Sequence, residues 1–377
     1  MAHLIETDID TVYTPQGEFA KTWHGLETQL PGAIELDGAN IPDIFCPVIQ
    51  CGLRPDFDAE IATASEDLKA EGACNLEEYK LILADCRAGK SGKVIPLHVP
   101  KAGYKIHQNR DLFDAMVSAA QAVLGNGFEI VTAGTLGGYS QFFLSLAIKG
   151  QESFDVGTLA NAMPDKWKQF FNLNSSHNGM IASNRMLASV RMVCMNTVQM
   201  AISDATGAGT IASIKHTANS DENISAKIFA RDLEVWIKQG QAFKTLLAAC
   251  KAAPMDLEGF RAFAAGVFTN EKSDNLSTNS FNRIGEMESL FAKGAGNVGA
   301  SRYDAINAFT EFFTSGNGAG SDKVKLNKRI ATANFGRANE WKLQAIATAT
   351  DEAAFEVAAK RGKTLFADKQ AVVLAGN

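Results

Sequence analysis

The chain has 377 residues, of which 46% are hydrophobic and 21% charged, with a net charge of −6. A chain of this length and composition buries a sizeable core in one large or two smaller domains, which excludes a disordered or fibrous protein. No apolar run approaches the roughly 20 residues of a transmembrane helix, so we expect no membrane partner. Six cysteines, none in a C-x-x-C pair and with no signal peptide before them, predict reduced thiols and a cytoplasmic protein.

The first 86 residues form an acidic segment that is rich in proline and glycine. They hold 17 acidic and 4 basic residues, a balance of −13, so residues 87–377 carry +7. We predict an irregular arm, with its best strand at Ile44–Val48 and short helices between Ala59 and Leu83. Such asymmetry is typical of polyanion binding by the basic part, although the two parts can equally face each other in one fold.

A basic stretch follows the acidic arm. It contains no acidic residue, and its six cations are Arg87, Lys90, Lys93, Lys101, Lys105 and Arg110. The Gly-Lys-Ser sequence that ends at Ser91 suggests a phosphate loop, but Ala84 replaces the first glycine of that motif and no helical pattern follows. This excludes an ATPase of the phosphate-loop class and leaves a flexible basic loop.

A helix and a hairpin come next in the chain. Apolar residues at helical spacing predict a helix that Asn109 caps and that ends near Leu124, before Gly125. Two strand patterns, over 128–132 and 142–148, flank a glycine-rich turn, which predicts a β-hairpin.

The stretch from 172 to 197 combines a strand, a turn and a second strand. Asn172 and Asn174 alternate with apolar residues, and a polar turn around His177 follows. His177 is either a local hydrogen-bonding residue or a ligand or acid–base group. Arg191 lies on the second predicted strand, where its guanidinium suits phosphate, carboxylate or a structural ion pair. Asn196 predicts the start of a helix.

Helical patterns dominate the rest of the chain. Residues 222–293 predict a helical layer, and Ser301 predicts the cap of a further helix. Asn307 and Glu311 are one turn apart on its outer side, as a solvated pair or as ligand contacts. A glycine-rich loop at 313–321 then leads into a basic segment containing Lys323 and Lys325.

These elements together predict an α+β fold. Its sheet is mostly antiparallel, has four or more strands and is flanked by helices, and its C-terminal part is helical. We expect three regions: an acidic irregular arm at 1–86, an α/β core with the hairpin and the central strand-turn-strand at 87–215, and a helical part with the glycine-rich loop at 216–377.

Five short segments, taken in their order along the chain, resemble one family. They are residues 23–26 (WHGL), 104–109 (YKIHQN), 174–179 (NSSHNG), 191–197 (RMVCMNT) and 307–312 (NAFTEF). The family is a domain of unknown function (932) found in phages, plasmids and prophages and often labelled phage/plasmid-like protein. The resemblance implies a mobile-element origin and the cytoplasm of a host cell, and it implies no established activity. Where the family turn reads Asn-Ser-His-Asp-Gly, this chain has an extra Ser176 and has Asn178 in place of the acid.

Two functional hypotheses belong to different classes. In the first, the chain is a phage- or mobile-element-encoded nucleic-acid-binding protein that binds or anneals single-stranded DNA in recombination or replication, and the acidic arm competes for the binding groove. The strands and helix resemble, loosely, the core of phage single-strand annealing proteins. The alternative is a host-interaction or anti-defence protein whose acidic arm imitates DNA. Homo-oligomers and host or phage protein partners stay open.

The sequence predicts no catalytic residue, no metal site and no cofactor. A hydrolase built on His177 and Glu311 is a weaker hypothesis, because it needs two distant groups to converge and has no further ligand at metal spacing. The residues expected to contact nucleic acid are Lys90, Lys93, Lys101, Tyr104, Lys105, Arg110, Asn174, His177, Arg191, Lys323 and Lys325.

Overall fold

The computed structural model describes residues 8–16, 27–53, 76–149, 154–158, 164–191, 196–199, 211–217, 220–269, 275–294, 296–315 and 337–375. Side chains are described over the same ranges except at 76, 154–158, 164–167, 188–191, 196–199, 211, 221, 314–315 and 337–339. Two sheets and a series of helices make the fold α+β, and helices dominate after residue 226. This confirms the predicted fold class.

The larger sheet contains nine strands in the described part of the chain. They are β1 (Val12–Thr14), β2 (Thr28–Gln29), β6 (Phe128–Leu136), β7 (Gln141–Ile148), β8 (Phe154–Thr158), β9 (Pro164–Ser176), β10 (Ser183–Arg191), β11 (Asn196–Gln199) and β12 (Ile211–Ile214). Their order is β11-β10-β9-β7-β6-β1-β2, with β8 paired to β9 and β12 to β10. The pairing is antiparallel except between β1 and β2. The predicted hairpin is β6–β7, and the predicted strand-turn-strand is β9–β10.

A smaller antiparallel sheet has the order β3-β4-β5. Its strands are β3 (Val48–Gly52), β4 (Lys80–Cys86) and β5 (Lys93–His98). The first 86 residues therefore supply β1 and β2 to the larger sheet and two of the three strands of the smaller one. Truncation at residue 86 would remove the central strand β4, so the influence of the acidic segment has to be tested by charge substitutions.

Seven helices are described. They are α1 (Asn109–Leu124), α2 (Ala226–Ala252), α3 (Leu257–Phe268), α4 (Thr278–Lys293), α5 (Arg302–Ser315), α6 (Arg337–Thr350) and α7 (Glu352–Ala375). The side chains of Ser225, Asp256 and Ser277 accept backbone N–H groups at the starts of α2, α3 and α4. The Ser301 hydroxyl accepts the N–H of Asp304 and caps α5, as predicted.

One face of the larger sheet packs against α1 and α2. Phe142 and Leu144 of β7 belong to the same buried apolar cluster as Leu112 of α1. On β9, the Phe171 ring lies 5.4 Å from the Trp236 ring of α2. Burial of these large side chains, at about 25 cal/mol per Å² of apolar surface, provides the main driving force that holds helices and sheet together.

Four sequence predictions are wrong in local detail. The strand expected at Ile44–Val48 begins only at Val48, after a 3-10 turn at Pro42–Phe45. Residues 80–83 are strand rather than helix. Asn196 begins strand β11 instead of a helix, because pairing with β10 satisfies its backbone. Gln108 occupies the cap position of α1, and Asn109 is its first helical residue.

The cysteine prediction is also wrong for one pair. Cys46 and Cys86 form a disulfide with their Cα atoms 5.0 Å apart, and both side chains are buried. Their sequence separation is 40 residues, and the end of β4 brings them together. Spacing in the sequence gives no sign of such a pairing, because the fold alone sets the distance. Cys51 and Cys250 are free thiols.

Two glycines let α3 and α7 cross with their backbones in contact. A Cβ at Gly362 of α7 would overlap the carbonyl oxygen of Ala262 and lie 2.5 Å from the backbone nitrogen of Gly266. A Cβ at Gly266 would likewise overlap the carbonyl oxygen of Ala358. Because the obstructing atoms are backbone, the helices would have to separate to admit a methyl group.

We predict that Gly362→Ala lowers the free energy of unfolding by about 2 kcal/mol or more, since it overpacks this crossing. The matched control is Gly285→Ala in α4, where a Cβ would meet nothing within 4 Å. That change should stabilise the protein by up to about 1 kcal/mol through helix propensity. Urea unfolding of the two variants measures both effects, and equal effects of the same sign would contradict the close crossing.

Candidate functional site

Two of the segments singled out in the sequence meet at one end of β9. The Tyr104 hydroxyl donates to the carbonyl oxygen of Ser176 at 3.1 Å. The Nε2 atom of His177 lies 2.8 Å from Oδ1 of Asn109. We call Tyr104, His107, His177 and His216 the histidine cluster. It contains three of the six histidines in the chain.

A reciprocal pair of hydrogen bonds between Lys105 and His216 holds the cluster together. The N–H of Lys105 donates to the carbonyl oxygen of His216 at 3.2 Å, and Nδ1 of His216 donates to the carbonyl oxygen of Lys105 at 2.8 Å. This pairing joins the basic loop after β5 to the segment that leaves β12. Residues 111 positions apart in the sequence thereby share one surface.

The aromatic rings of the cluster are stacked. The His216 ring lies between Tyr104, at 4.7 Å, and His107, at 4.1 Å, with interplanar angles of 8° and 21°. The His98 ring, at the end of β5, meets Tyr104 edge-on at 6.2 Å. His107 is buried, whereas Tyr104, His98 and His216 are only half-buried. The outer end of the stack therefore reaches the protein surface.

His177 is the fully buried member of the cluster, and its protonation follows from its partners. Asn109 donates through Nδ2 to the carbonyl oxygen of Ile44, so its Oδ1 faces His177 and accepts from Nε2–H. Nδ1 of His177 therefore carries no proton, and it has no hydrogen-bond partner among the described residues. Burial, followed by the neighbouring His216 and His107, lowers the pKa of His177 to about 3.

A chain of buried hydroxyl groups continues from His107. Its ring nitrogens lie 2.7 Å from the Ser183 and Ser220 hydroxyls, and Ser183 lies 2.7 Å from the Ser175 hydroxyl. All four side chains are buried. Because these hydroxyl groups are buried, they cannot reach a substrate as nucleophiles. The hydrogen-bonded series instead forms an internal network that fixes β9, β10 and α1 relative to one another.

We predict that acid destabilises the protein through His177. Its folded pKa lies below the ordinary value of 6.5, so the unfolded chain binds more protons between about pH 6.5 and pH 3. Stability should fall as the pH drops through this window, by up to about 1.4 kcal/mol per pH unit. Urea unfolding from pH 7 to pH 4 measures the loss.

The matched variant is His177→Gln, whose amide can still donate to Asn109 but does not titrate. Its stability should depend less steeply on pH than that of the unmodified protein. The same pH dependence in both proteins would show that His177 is not the group responsible.

The basic residues of the predicted site separate into two groups. Lys101 and Lys105 flank Tyr104, and Lys101 is exposed. Lys90 and Lys93 are also exposed, but they lie at the opposite end of β5, which places Lys93 roughly 17 Å from His98 at about 3.3 Å per residue. The structure therefore brings Lys101, Tyr104 and Lys105 together at the cluster and leaves Lys90 and Lys93 apart.

Other predicted site residues have different surroundings. Arg110 pairs with Asp114 at 2.9 Å and lies 4.9 Å from the Phe45 ring centroid, so it serves α1 rather than a free surface. His177 is fully buried and positions its neighbours. The backbone of Arg191 ends β10, but its side chain lies outside the described residues, as do Lys323 and Lys325.

Asn174 is half-buried on β9. It pairs with Asn184 of β10, on the side of the sheet that faces away from α2, and its Oδ1 lacks a hydrogen-bond donor among the described residues.

The prediction that Asn307 and Glu311 form a solvated pair on α5 is wrong for Asn307. Asn307 is fully buried, and neither polar atom of its side chain has a partner in the described part of the chain. The described contacts place His177 against Asn109 and Glu311 close to Gly294, and no contact between His177 and Glu311 appears among them. Lys342 is buried in α6, and burial lowers its pKa to about 8.

A cleft of about 380 Å³ opens beside His107. Ile106, Ile224 and two carboxylates, Asp111 and Asp114, contribute to its lining. Carboxylates repel phosphate, so the cleft does not suit a polyanion.

Within the described ranges, no three His, Cys, Asp or Glu side chains group as a ligand set for a metal ion. No described helix has the length and apolarity needed to span a membrane.

Four residues of the candidate site were not predicted from the sequence: Lys215, His107, His216 and Ser183. Lys215 is exposed and directly precedes His216. The roles of His107, His216 and Ser183 depend on contacts between residues far apart in the chain. Only the proximity of Lys215 and His216 in the sequence could have suggested that a polar segment after β12 matters.

Comparison with known proteins gives one match. The model of a family described as a domain of unknown function, DUF932, matches residues 96–334. No curated protein and no solved structure matches the chain. The matched range contains the whole histidine cluster, from Tyr104 to His216, together with α5.

Proposed function

This chain belongs to the DUF932 family, a domain of unknown function, and from that premise we propose that it binds single-stranded nucleic acid at the histidine cluster. The resemblance to phage- and plasmid-borne proteins extends this proposal to recombination or replication of mobile elements inside a host cell. Neither role requires a catalytic group, because such proteins hold the backbone of the strand in a cationic groove.

The observation that carries the proposal is the reciprocal pairing of Lys105 with His216. It joins the segment that carries Lys101, Tyr104 and Lys105 to the segment that carries Lys215 and His216, next to the partly exposed Tyr104–His216 stack. Lys101 and Lys215 are exposed and form no ion pair among the described residues. Cations beside an aromatic stack are the combination that single-strand-binding surfaces use for phosphates and bases.

The protonation state of the rings also suits this role. Burial raises the pKa of Tyr104 above its ordinary value, so the hydroxyl stays protonated and continues to donate to Ser176. Burial lowers the pKa of His216, so its ring is neutral at pH 7. Attraction to phosphate therefore comes from the lysines. The stacking surface is the outer side of Tyr104, because Tyr104 and His107 cover both faces of His216.

We predict that replacing Lys101, Lys105 and Lys215 together by Gln weakens single-stranded DNA binding and flattens its salt dependence. Each phosphate contact to a single strand contributes about 0.7 to the slope of log affinity against log salt, so the slope should fall by about 2. Fluorescence anisotropy of a labelled oligonucleotide at several salt concentrations measures both quantities.

The charge-matched control replaces Lys227, Lys244 and Lys360 by Gln. These three lysines are exposed on α2 and α7. The control removes the same net charge, so it separates local contacts from the general effect of charge. If the two triple variants lose affinity and slope equally, the cluster is not the binding site; if the unmodified protein binds no single strand, the proposed function is wrong.

A further inference from the structure

The turn between β9 and β10 contains an asparagine followed by a glycine, Asn178 and Gly179. An asparagine in this position is prone to lose its side-chain amide, because glycine has no Cβ to keep its backbone nitrogen away from the asparagine side chain. The chain contains three such pairs, at 126–127, 178–179 and 317–318, and the first two lie in the described residues. The structure distinguishes these two pairs.

The groups that would react at Asn178 and Gly179 are free in the folded protein. In the described part of the chain, no hydrogen bond engages the N–H of Gly179 or Nδ2 of Asn178. Gly179 is exposed and the Met180 side chain is 66% exposed, so water reaches the turn. The attacking nitrogen, the leaving group and the water that the reaction consumes are therefore all accessible.

A hydrogen bond to the side chain of Asn178 favours the attack. The N–H of Met180 donates to Oδ1 of Asn178 at 3.1 Å, which holds the amide over the backbone of the turn. When a nitrogen attacks the amide carbon, negative charge develops on Oδ1. A donor that already points at this oxygen stabilises the tetrahedral intermediate.

The pair Asn126–Gly127, which follows α1, is held differently. The Gly127 N–H donates to the carbonyl oxygen of Leu124 at 2.8 Å, and the Gly127 carbonyl oxygen accepts the N–H of Lys149 at 2.7 Å. Attack by this nitrogen would first have to break a hydrogen bond. The two pairs therefore have the same chemistry and different structural freedom, although Asn126 is itself exposed.

We propose that Asn178 is a self-modification site, which converts to aspartate and isoaspartate through a cyclic imide with water as the only co-reactant. The Gly179 nitrogen bonds to Cγ of Asn178, the Cγ–Nδ2 bond breaks, and ammonia leaves with the proton of the Gly179 N–H. Water then adds to one of the two carbonyl carbons of the imide and breaks the bond between that carbon and the Gly179 nitrogen. Opening at Cγ gives aspartate, and opening at the backbone carbon gives isoaspartate.

The carboxylate that this reaction produces lies beside the histidine cluster. Asn178 directly follows His177, and the His98 ring, which meets Tyr104 edge-on, lies against Gly179, where a Cβ would be 2.9 Å from Nε2 of His98. An aspartate with an ordinary pKa of about 3.9 is ionised at neutral pH. The reaction therefore adds a negative charge next to the surface proposed to bind phosphate, and it weakens that binding as the protein ages. This consequence rests on the proposed function, whereas the modification itself does not.

The modification is tested on the full chain, incubated at neutral pH and followed over time by peptide mapping with mass spectrometry. Asn126 is the internal control, because it is also followed by glycine. We expect Asn178 to convert faster than Asn126 by about fivefold or more, since only the Gly127 N–H has to leave a hydrogen bond first. In urea, where the fold is lost, the two rates should become similar.

The variant Asn178→Gln supplies the blocked reference, because the longer side chain does not readily form the imide, and it should show no conversion at this position. Equal rates at Asn178 and Asn126 in the folded protein would overturn the proposal. So would a folded Asn178 that remains an amide while the unfolded one converts.

The effect on binding is tested with Asn178→Asp, which carries the charge of the product, and with Asn126→Asp as the charge-matched control. Asn109, at the start of α1, contacts His177, whereas Asn126 lies beyond the other end of this helix, whose 16 residues span about 24 Å. We expect Asn178→Asp to bind a labelled single-stranded oligonucleotide more weakly by roughly threefold or more at low salt, and Asn126→Asp to bind as the unmodified protein does. Thermal unfolding shows whether both variants fold.

The outcomes separate the modification from the proposed function. Equal affinities of the two aspartate variants would overturn the effect on binding. Failure of the unmodified protein to bind a single strand would overturn the proposed function, and the conversion rates of Asn178 and Asn126 would still decide the modification.

Discussion

The pair of hydrogen bonds between Lys105 and His216 is the constraint on which the site depends. Without it, the basic loop after β5 and the segment after β12 would be unrelated parts of the surface. With it, a tyrosine and two histidines stack, and the two segments that carry Lys101, Lys105 and Lys215 meet at the stack. The buried Ser–His–Ser network beneath the stack holds the strands that carry it. Local rigidity of this kind presents cations and rings to a ligand at low entropic cost.

Charge in this protein is divided on a finer scale than the sequence suggests. The acidic first 86 residues are not simply placed opposite a basic remainder, because their strands pair within both sheets. The basic stretch is itself split by the length of β5. Several cations serve the fold: Arg185 pairs with Asp232 at 2.6 Å, and Arg261 pairs with Glu288 at 2.8 Å. The net charge therefore says less about binding than the surroundings of each individual lysine and arginine.

Local patterns predicted the regular elements well, and they failed where partners are distant. Helix α1 and the β6–β7 hairpin follow from apolar spacing and glycine turns, which are local properties. Asn196 resembled a helix cap, but tertiary pairing with β10 made it a strand. Asn307 resembled a surface residue because it is one turn from Glu311 on its helix, yet other elements cover it completely. The disulfide, Lys215 and the stacked rings depend on contacts across the fold that no local pattern contains.

Hydrogen–deuterium exchange with and without a single-stranded oligonucleotide tests the central claim most directly. If the strand binds at the histidine cluster, exchange should slow in residues 101–108, 174–178 and 213–217. Exchange in α7, at residues 352–375, should not change. Unchanged exchange in the first three segments at a saturating oligonucleotide concentration, or protection confined to the C-terminal helices, would contradict the account.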